Sequence, residues 1–477
     1  MNSHKVTRAA YISAAAILLS VTSFERAAAQ DVQTLTEILA RAYDTSPALA
    51  AARARQRATD ENLPIAQSNL FRPTISITAQ EGRSVVRQRD TQEVAAGSAE
   101  TKTNTNTLDR KLGYSLSLPL FRGGQTFAEI DEARSAIAAG QADLITTEQS
   151  VLAAAVTAYV DVAYYRALAQ LEQMTVTDYE QRVSRTREEL KAQRRTVSDL
   201  ALFRSSLASA QNSLATANGE RRAAEASFEA ISRIPAAALA PRPSFNIVPD
   251  TLDDALKLAN SANPTIRSAE HSIDKNEAAV RAAEGVLFPQ LSLVQSFTRQ
   301  QDNSRYTGGT NPYDEIDRED TVTVGVTMSM PLYAGGANHA SVRASKQTLS
   351  EARLTLASTQ LTTEISVKAA WVRMTAAREA LKFAQENVAA LGDALEAVEF
   401  QYQRSDATGR DLIDVIDERT TAQVTVATAR RTLFLAESQL LQSTGQMTAD
   451  ALGLAVDIYD PNEHLRDVDG KLFGLGD

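Results

Sequence analysis

The feature that most constrains this chain is a change of period inside one short stretch, Leu112 to Gly124, LGYSLSLPLFRGG. Leu112, Tyr114, Leu116, Leu118 and Leu120 alternate with Gly113, Ser115, Ser117 and Pro119, the pattern of a strand with one apolar and one small polar face. Two glycines follow, and from Gln125 the apolar residues recur at three and four (Ile130, Ala133, Ile137, Leu144, Val151), the spacing of a long helix. The same switch recurs 212 residues later: Val322, Val324, Val326, Met328, Met330 and Leu332 alternate with Thr323, Gly325, Thr327, Ser329 and Pro331 before Gly335, Gly336 and a second helix. One unit is written twice, and a repeat of this kind overrides the two or three separate domains that 477 residues would otherwise suggest.

The repeat extends in both directions. TLTEILARAYDTSPALA from Thr34 is echoed by TLDDALKLANSANPTIR from Thr251, each a short helix stopped by proline. A second helix follows in each half, 48–69 and 265–286, and then strands. Between the two strands of each half lies a polar stretch, about 80–111 and 299–320, which reads as a long loop. After the glycines the helical pattern runs for some 65 residues, a rod of roughly 100 Å at 1.5 Å per residue. A return helix follows each rod, with alanine-rich seams such as Leu200, Phe203, Leu207, Ala210, Leu214, Ala217 and Val415, Ala422, Val426, Ala429, suited to close antiparallel coiled-coil packing. The organisation expected is a signal peptide at 1–29 and a first repeat at 30–233, with strand pair about 73–120 and long helices about 125–232. A Pro-rich linker follows at 234–250. The second repeat is 251–445, with strand pair about 290–332 and long helices about 337–443, and a C-terminal tail spans 446–477.

Residues 1–29 carry Lys5 and Arg8, an apolar run from Ala9 to Val21, and Ala27-Ala28-Ala29 before Gln30, the plan of a cleaved secretory signal. The apolar run is short of the ~20 residues a spanning helix needs, and no later segment reads as a spanning helix, so any membrane crossing is made by strands. There is no cysteine, hence no disulfide, thiolate metal site or lipidated N-terminal cysteine. The net charge of −10 argues against a nucleic-acid partner.

Four strands per chain cannot close a barrel, and an open edge in lipid leaves backbone groups unsatisfied. Chains must therefore share one barrel. Two would supply eight strands, a number whose interior side chains fill; three would supply twelve, which can hold water, so a duct favours three. Ser115, Ser117, Thr323, Thr327 and Ser329 would line the lumen while Leu, Val and Met face lipid. Phe71, Phe121, Phe288 and Tyr333 fall at strand ends beside helices, where an aromatic interface girdle belongs. Pro73, Pro119, Pro289 and Pro331 lie at the same level and end the ladders.

The twofold repeat, LPLFRGG and MPLYAGG entering long helices, and the alanine-rich coiled coils behind a signal resemble the TolC family of outer-membrane efflux and secretion ducts over essentially the whole mature chain. The resemblance implies an α+β membrane protein: a homotrimer whose chains share a 12-stranded β-barrel, continued by a long α-helical coiled-coil tunnel in the periplasm of a Gram-negative bacterium. It implies a passive outer-membrane channel of a tripartite efflux pump or type I secretion system. The implied partners are a periplasmic adaptor (membrane-fusion) protein, an inner-membrane RND or ABC transporter, and outer-membrane lipid. It also assigns residues where the long helices reverse, in QRRTVSDL and TGRDLIDVID: Arg410, Asp199, Ser198 and Tyr402 to a periplasmic gate, and Asp414 and Asp417 to an acidic constriction ring, with Asp199 set opposite Asp414 in the repeat. Ser405 stands where a gating tyrosine is expected in the family, with Tyr402 as its substitute.

No catalytic constellation is visible. His4, His271, His339 and His464 are scattered without metal-ligand spacing, and Gly123, Gly124, Gly335 and Gly336 lack a nucleotide-binding pattern and read as strand-to-helix turns. No metal or cofactor is expected, and the chain reads as no enzyme. The competing reading is a secreted coiled-coil scaffold or adaptor protein of the periplasm, which would have no use for four alternating strands.

Overall fold

A computed structural model describes residues 32–94, 97–240, 245, 247–307 and 313–474; the signal peptide and part of the linker lie outside these. The described elements run α1 (Leu35–Thr45), α2 (Pro47–Asp60), α3 (Asn62–Gln67), β1 (Thr74–Val94), β2 (Gly97–Arg122), α4 (Gln125–Lys191) and α5 (Val197–Ser232). They continue with α6 (Leu252–Ala262), α7 (Pro264–Gly285), β3 (Gln290–Thr307), β4 (Tyr313–Ser329), α8 (Ala337–Gln403), α9 (Gly409–Ser443) and α10 (Asn462–Val468). The described residues fall into two compact units, one within 32–54, 142–267 and 358–460, the other within 55–141, 268–357 and 461–474.

Local chemistry accounts for the helix ends. Thr34 and Thr251 cap α1 and α6 by accepting from the backbone N–H of Glu37 and Asp254. Both helices stop at a residue held extended by the proline behind it, Ser46 (ψ 119°) and Asn263 (ψ 120°).

In the first unit, Leu152, Ala155, Val156 and Val162 of α4 are fully buried against Leu35, Ile38, Leu39 and Ala42 of α1 and Phe228 of α5. On α5, Phe203, Ala210, Ala217 and Ala224 are buried at intervals of seven, so the small side chains form one continuous seam. Contrary to the sequence expectation, α4 does contain an 18-residue window apolar enough for a membrane span, with mean hydropathy 1.3. Part of that window is buried in this core, as in the core helices of other proteins that are equally apolar.

In the second unit the four strands form one antiparallel sheet in the order β1-β2-β3-β4. The polar stretches read as long loops are instead strand: β1 and β2 stay in register from Thr74 opposite Ser117 to Val94 opposite Gly97, and β3 and β4 pair out to Tyr306 opposite Tyr313. Threonine favours extended backbone, and an antiparallel ladder satisfies the main chain whether or not its faces are apolar. Asp109, Asp302 and Asp317 even lie directly opposite one another, an arrangement that like charges disfavour, eased by Lys111 at 3.6 Å from Asp109 and by a 2.9 Å bond from Gln300 to Asp302.

Nearer the helices the register sorts the faces. Ser76, Ser115, Ser296 and Thr323 form one cross-strand row, with Ser76 and Ser115 hydroxyls 2.7 Å apart, and Ile77, Tyr114, Phe297 and Val322 form a row on the other face. The β2–β3 ladder shifts between Pro119 and Phe121, where proline has no N–H to offer. Phe71, Phe121, Phe288 and Tyr333 are all exposed beside the strand ends.

Each strand pair hands over to its long helix through two left-handed glycines, Gly123 (φ 62°) and Gly124 (φ 82°), then Gly335 (φ 63°) and Gly336 (φ 81°). The surroundings differ: a Cβ on Gly123 would lie 2.2 Å from the Gly285 carbonyl oxygen and 2.7 Å from Phe288 Cβ, whereas one on Gly335 would meet open space.

The stretch read as a tail is packed. Leu465 of α10 lies against Leu63, Ile130 and Ile137, and His464 Nδ1 is 3.2 Å from Oδ2 of Asp60, a fully buried carboxyl that also accepts from Gln56 at 2.8 Å. Gln67 donates to Asp469 at 2.7 Å and accepts from the Gly470 N–H, which clamps the end of α10. Burial pushes the Asp60 carboxyl above its ordinary range, opposed by the bonds from Gln56 and His464.

Two outcomes follow from these contacts. Gly123→Ala is expected to lower recovery of folded protein in the membrane fraction far more than Gly335→Ala, since both carry the left-handed penalty of about 1 kcal/mol or more but only the first also meets a backbone oxygen. His464→Ala strips a partner from a buried carboxyl and is expected to cost about 1–3 kcal/mol, read as a lower melting temperature in detergent, with His464→Gln closer to the parent.

Candidate functional site: the turns of the long helices

The gate and ring residues named from the sequence all lie around two turns of the first unit, α4 to α5 and α8 to α9. The turns are built alike. Gln193 (φ 58°) and Ser405 (φ 68°) are left-handed, and each is followed by an N–H that reaches back five residues, Arg194 to Glu189 O and Asp406 to Gln401 O, both at 2.9 Å. That is the Schellman arrangement, which satisfies carbonyls the helix end would otherwise leave unmade. Ser405 is thereby the left-handed end residue of α8 and leaves no place there for a gating aromatic.

Both return helices open with a Thr-x-x-Asp capping box. Thr196 accepts from the Asp199 N–H at 3.1 Å while Asp199 Oδ2 accepts from the Thr196 N–H at 3.1 Å, and Thr408 and Asp411 repeat this at 3.2 and 2.8 Å. The structural counterpart of Asp199 is therefore Asp411 and not Asp414, which corrects the sequence alignment of the two halves. The Thr408 N–H, then its hydroxyl, hold the Asp411 carboxyl below its ordinary range. The two helix starts lie side by side: Gly409 is buried, and a Cβ there would sit 3.0 Å from Asp199 Oδ1 and 3.5 Å from the Phe203 ring.

Arg410 projects outward from the α9 start and pairs with Asp414 one turn on, at 3.1 Å, with both side chains more than half exposed. Within the chain it does not bond Ser198 or Asp199, because Asp199 is occupied by its own cap and Arg410 has a carboxylate on its own helix. Ser198 is exposed. Tyr402 is not a free hydroxyl at the turn but a buried ring of the core formed by Val176, Tyr179, Phe203 and Leu412. The Arg195 guanidinium lies 3.7 Å from the centre of its face, and burial pushes its phenol up. Arg195 also bonds Glu189 at 3.1 Å and the Tyr402 carbonyl, tying the α4–α5 turn to the end of α8.

Asp417, three residues beyond Asp414, is held differently. Its Oδ1 accepts from the Tyr179 hydroxyl at 2.6 Å. Burial first, then the adjacent carboxylate, push the Tyr179 phenol far above its ordinary range, and burial with the same carboxylate raises Glu172. Tyr179, Arg195 and Asp411 were not singled out in the sequence. The recurrence of TVSD as TGRD at the repeat distance of 212 was a usable signal for Asp411, whereas nothing in the local pattern marks Tyr179 as a partner of a residue 238 positions away.

An exported chain whose antiparallel strands carry one hydroxyl and one exposed apolar face, joined by left-handed glycines to helices of 67 residues, is of the class of outer-membrane channels. The chain belongs to the outer membrane efflux protein family, whose profile matches residues 38–232 and 255–415. The outer membrane efflux protein BepC of Brucella suis biovar 1 (strain 1330) is 30% identical over 463 residues, covering 97% of this chain and 96% of the relative. Two solved structures share the fold at TM-score 0.70. One is the CusC channel, at 15% identity over 86% of this chain and 92% of that one; the other is the Campylobacter jejuni CmeC outer membrane channel, at 14% over 91% and 89%. The protein is accordingly the outer-membrane channel of an efflux pump, extending into the periplasm, and a channel rather than an enzyme or a secreted scaffold.

If the two caps act as read, Thr196→Ala costs about 1 kcal/mol of stability in detergent melts. The contribution of ionised Asp411 is present above about pH 4 and is lost as the pH falls through its lowered folded value. Thr408→Ala is therefore expected to reduce the loss of melting temperature on acidification relative to the parent.

Proposed function

We propose that three copies of this chain close a twelve-stranded barrel and a helical tunnel, and that the assembly passes substrates delivered from the periplasm or an inner-membrane transporter to the exterior. The observation that carries this is the open sheet: β1 and β4 are the outer strands, each paired on one side only among the described residues, and their apolar side chains Ile75, Ile77, Val322, Val324 and Met328 are each more than 60% exposed. Unpaired edges are untenable in lipid and bare apolar rows are untenable in water; a second and third copy pair the edges, and the membrane covers the rows. α8 supports the same reading, with Leu361, Ile365, Val372 and Phe383 exposed at coiled-coil spacing and covered by no helix among the described residues. In the barrel the serine and threonine rows face water and the apolar rows face lipid, with Phe71, Phe121, Phe288 and Tyr333 at the inner interface.

The long helices arise from one unit used twice, and their turns form the periplasmic entrance. There Arg410, paired at an exposed position with Asp414 of its own helix, and Ser198 and Asp199 on the neighbouring turn are placed to exchange bonds across chains, with Tyr402 as packing beneath them. Asp414 and Asp417 face the axis as an acidic constriction. The proposed partners are a periplasmic adaptor protein with an inner-membrane RND or ABC transporter, in a tripartite efflux or type I secretion assembly.

The test is native mass spectrometry of the protein extracted from outer membranes, together with two substitutions on opposite faces of β2. A trimer mass is expected. Leu116→Asp should abolish recovery from the outer membrane, at up to a few kcal/mol per chain, while Ser117→Asp should not. A stable monomer, or equal effects of the two variants, contradicts the proposed assembly.

A further inference from the structure

Asp414 and Asp417 are three residues apart on α9, yet their carboxylates are held in opposite ways. Asp414 is met by the exposed Arg410 of its own helix, a pairing between two solvated side chains that leaves both free to change rotamer. Asp417 is met by the hydroxyl of Tyr179, whose side chain is 1% exposed and packed among Val176, Val183, Phe203, Leu412 and Ile416. A ring buried to that degree has one orientation, so the point from which its hydroxyl donates is fixed by the core and not by solvent. The 2.6 Å separation is that of a hydroxyl donating to an ionised carboxylate.

We propose that Tyr179 is the positioning residue of the constriction and that Asp417, not Asp414, supplies its fixed negative charge. The inference rests on the acidic-constriction reading above. Without the tyrosine, an aspartate at this exposed position would sample several rotamers and the charge presented at the axis would be spread. With it, each chain offers one carboxylate oxygen bound to the core and the other, Oδ2, open to a passing cation. Asp414, exposed and free to change rotamer, spreads its charge over several positions and contributes less to a fixed field. The groups around the bond are Glu172 and Asp178 on α4, the latter paired with Arg182 at 2.9 Å, and Ser206 on α5 beside the phenol. Tyr179→Phe removes one oxygen and leaves the packing, which makes it a clean probe.

The experiment is single-channel recording in planar bilayers, with hexaamminecobalt(III) added on the periplasmic side as the blocking ion. Tyr179→Phe is expected to keep the parent conductance in potassium chloride and the parent melting temperature to within a few degrees, and to weaken block by about tenfold or more, the scale of a lost hydrogen bond to a charged group. Asp417→Asn should weaken block at least as much, and adding Tyr179→Phe to it should change nothing further. In an Asp414→Asn background, Tyr179→Phe should retain its full effect. If Asp417→Asn weakens block and Tyr179→Phe does not, or if Tyr179→Phe is additive with Asp417→Asn, the positioning role is overturned while the constriction stands. If Asp417→Asn leaves block unchanged, the constriction reading and this assignment fall together.

Discussion

A backbone N–H or carbonyl cannot be left without a partner in hydrocarbon, and this chain is arranged around that constraint. Where it meets lipid it is strand, and every interior strand exchanges its ladder with a neighbour on each side. Where it leaves lipid it becomes helix, which satisfies its own main chain. The change from one regime to the other happens within two residues, and glycine makes it at the least steric cost at the left-handed φ observed, 62° and 82° in one half and 63° and 81° in the other. The same constraint governs the far ends of the helices, where capping boxes and Schellman bonds satisfy the groups that a reversing helix exposes.

The two halves use the same devices but not the same surroundings. Gly123 is hemmed in by Gly285 and Phe288 while Gly335 is open. Two stretches of matching pattern can therefore share a local geometry and still meet different partners. This explains how one half of a chain can present the contacts that the other half does not need.

The polar ends of the strands show a different limit. Read as pattern, TKTNTNT has no apolar face and suggests a loop, because a half-buried strand is recognised by alternation against a core. In this sheet the strands extend past any apolar face, and their stability comes from the ladder and from hydroxyl and charge pairs such as Thr107 with Ser304 at 2.9 Å and Arg299 with Asp320 at 2.7 Å. Periodicity records burial, so it goes silent where a strand is wet on both sides.

What the sequence by itself determined was local: the period switch at LPLFRGG and MPLYAGG, the proline stops, the alanine seams, and through their repetition the family. Each of these depends on interactions within a few residues or a few turns, and such interactions are written in spacing. The tertiary structure decided which side chains meet across distance. It placed Tyr402 in a core under Arg195 and brought Tyr179 to Asp417. No local signal announces a partner more than two hundred residues away, because a polar atom's partner is chosen by the packing of whole helices and not by its neighbours in the chain.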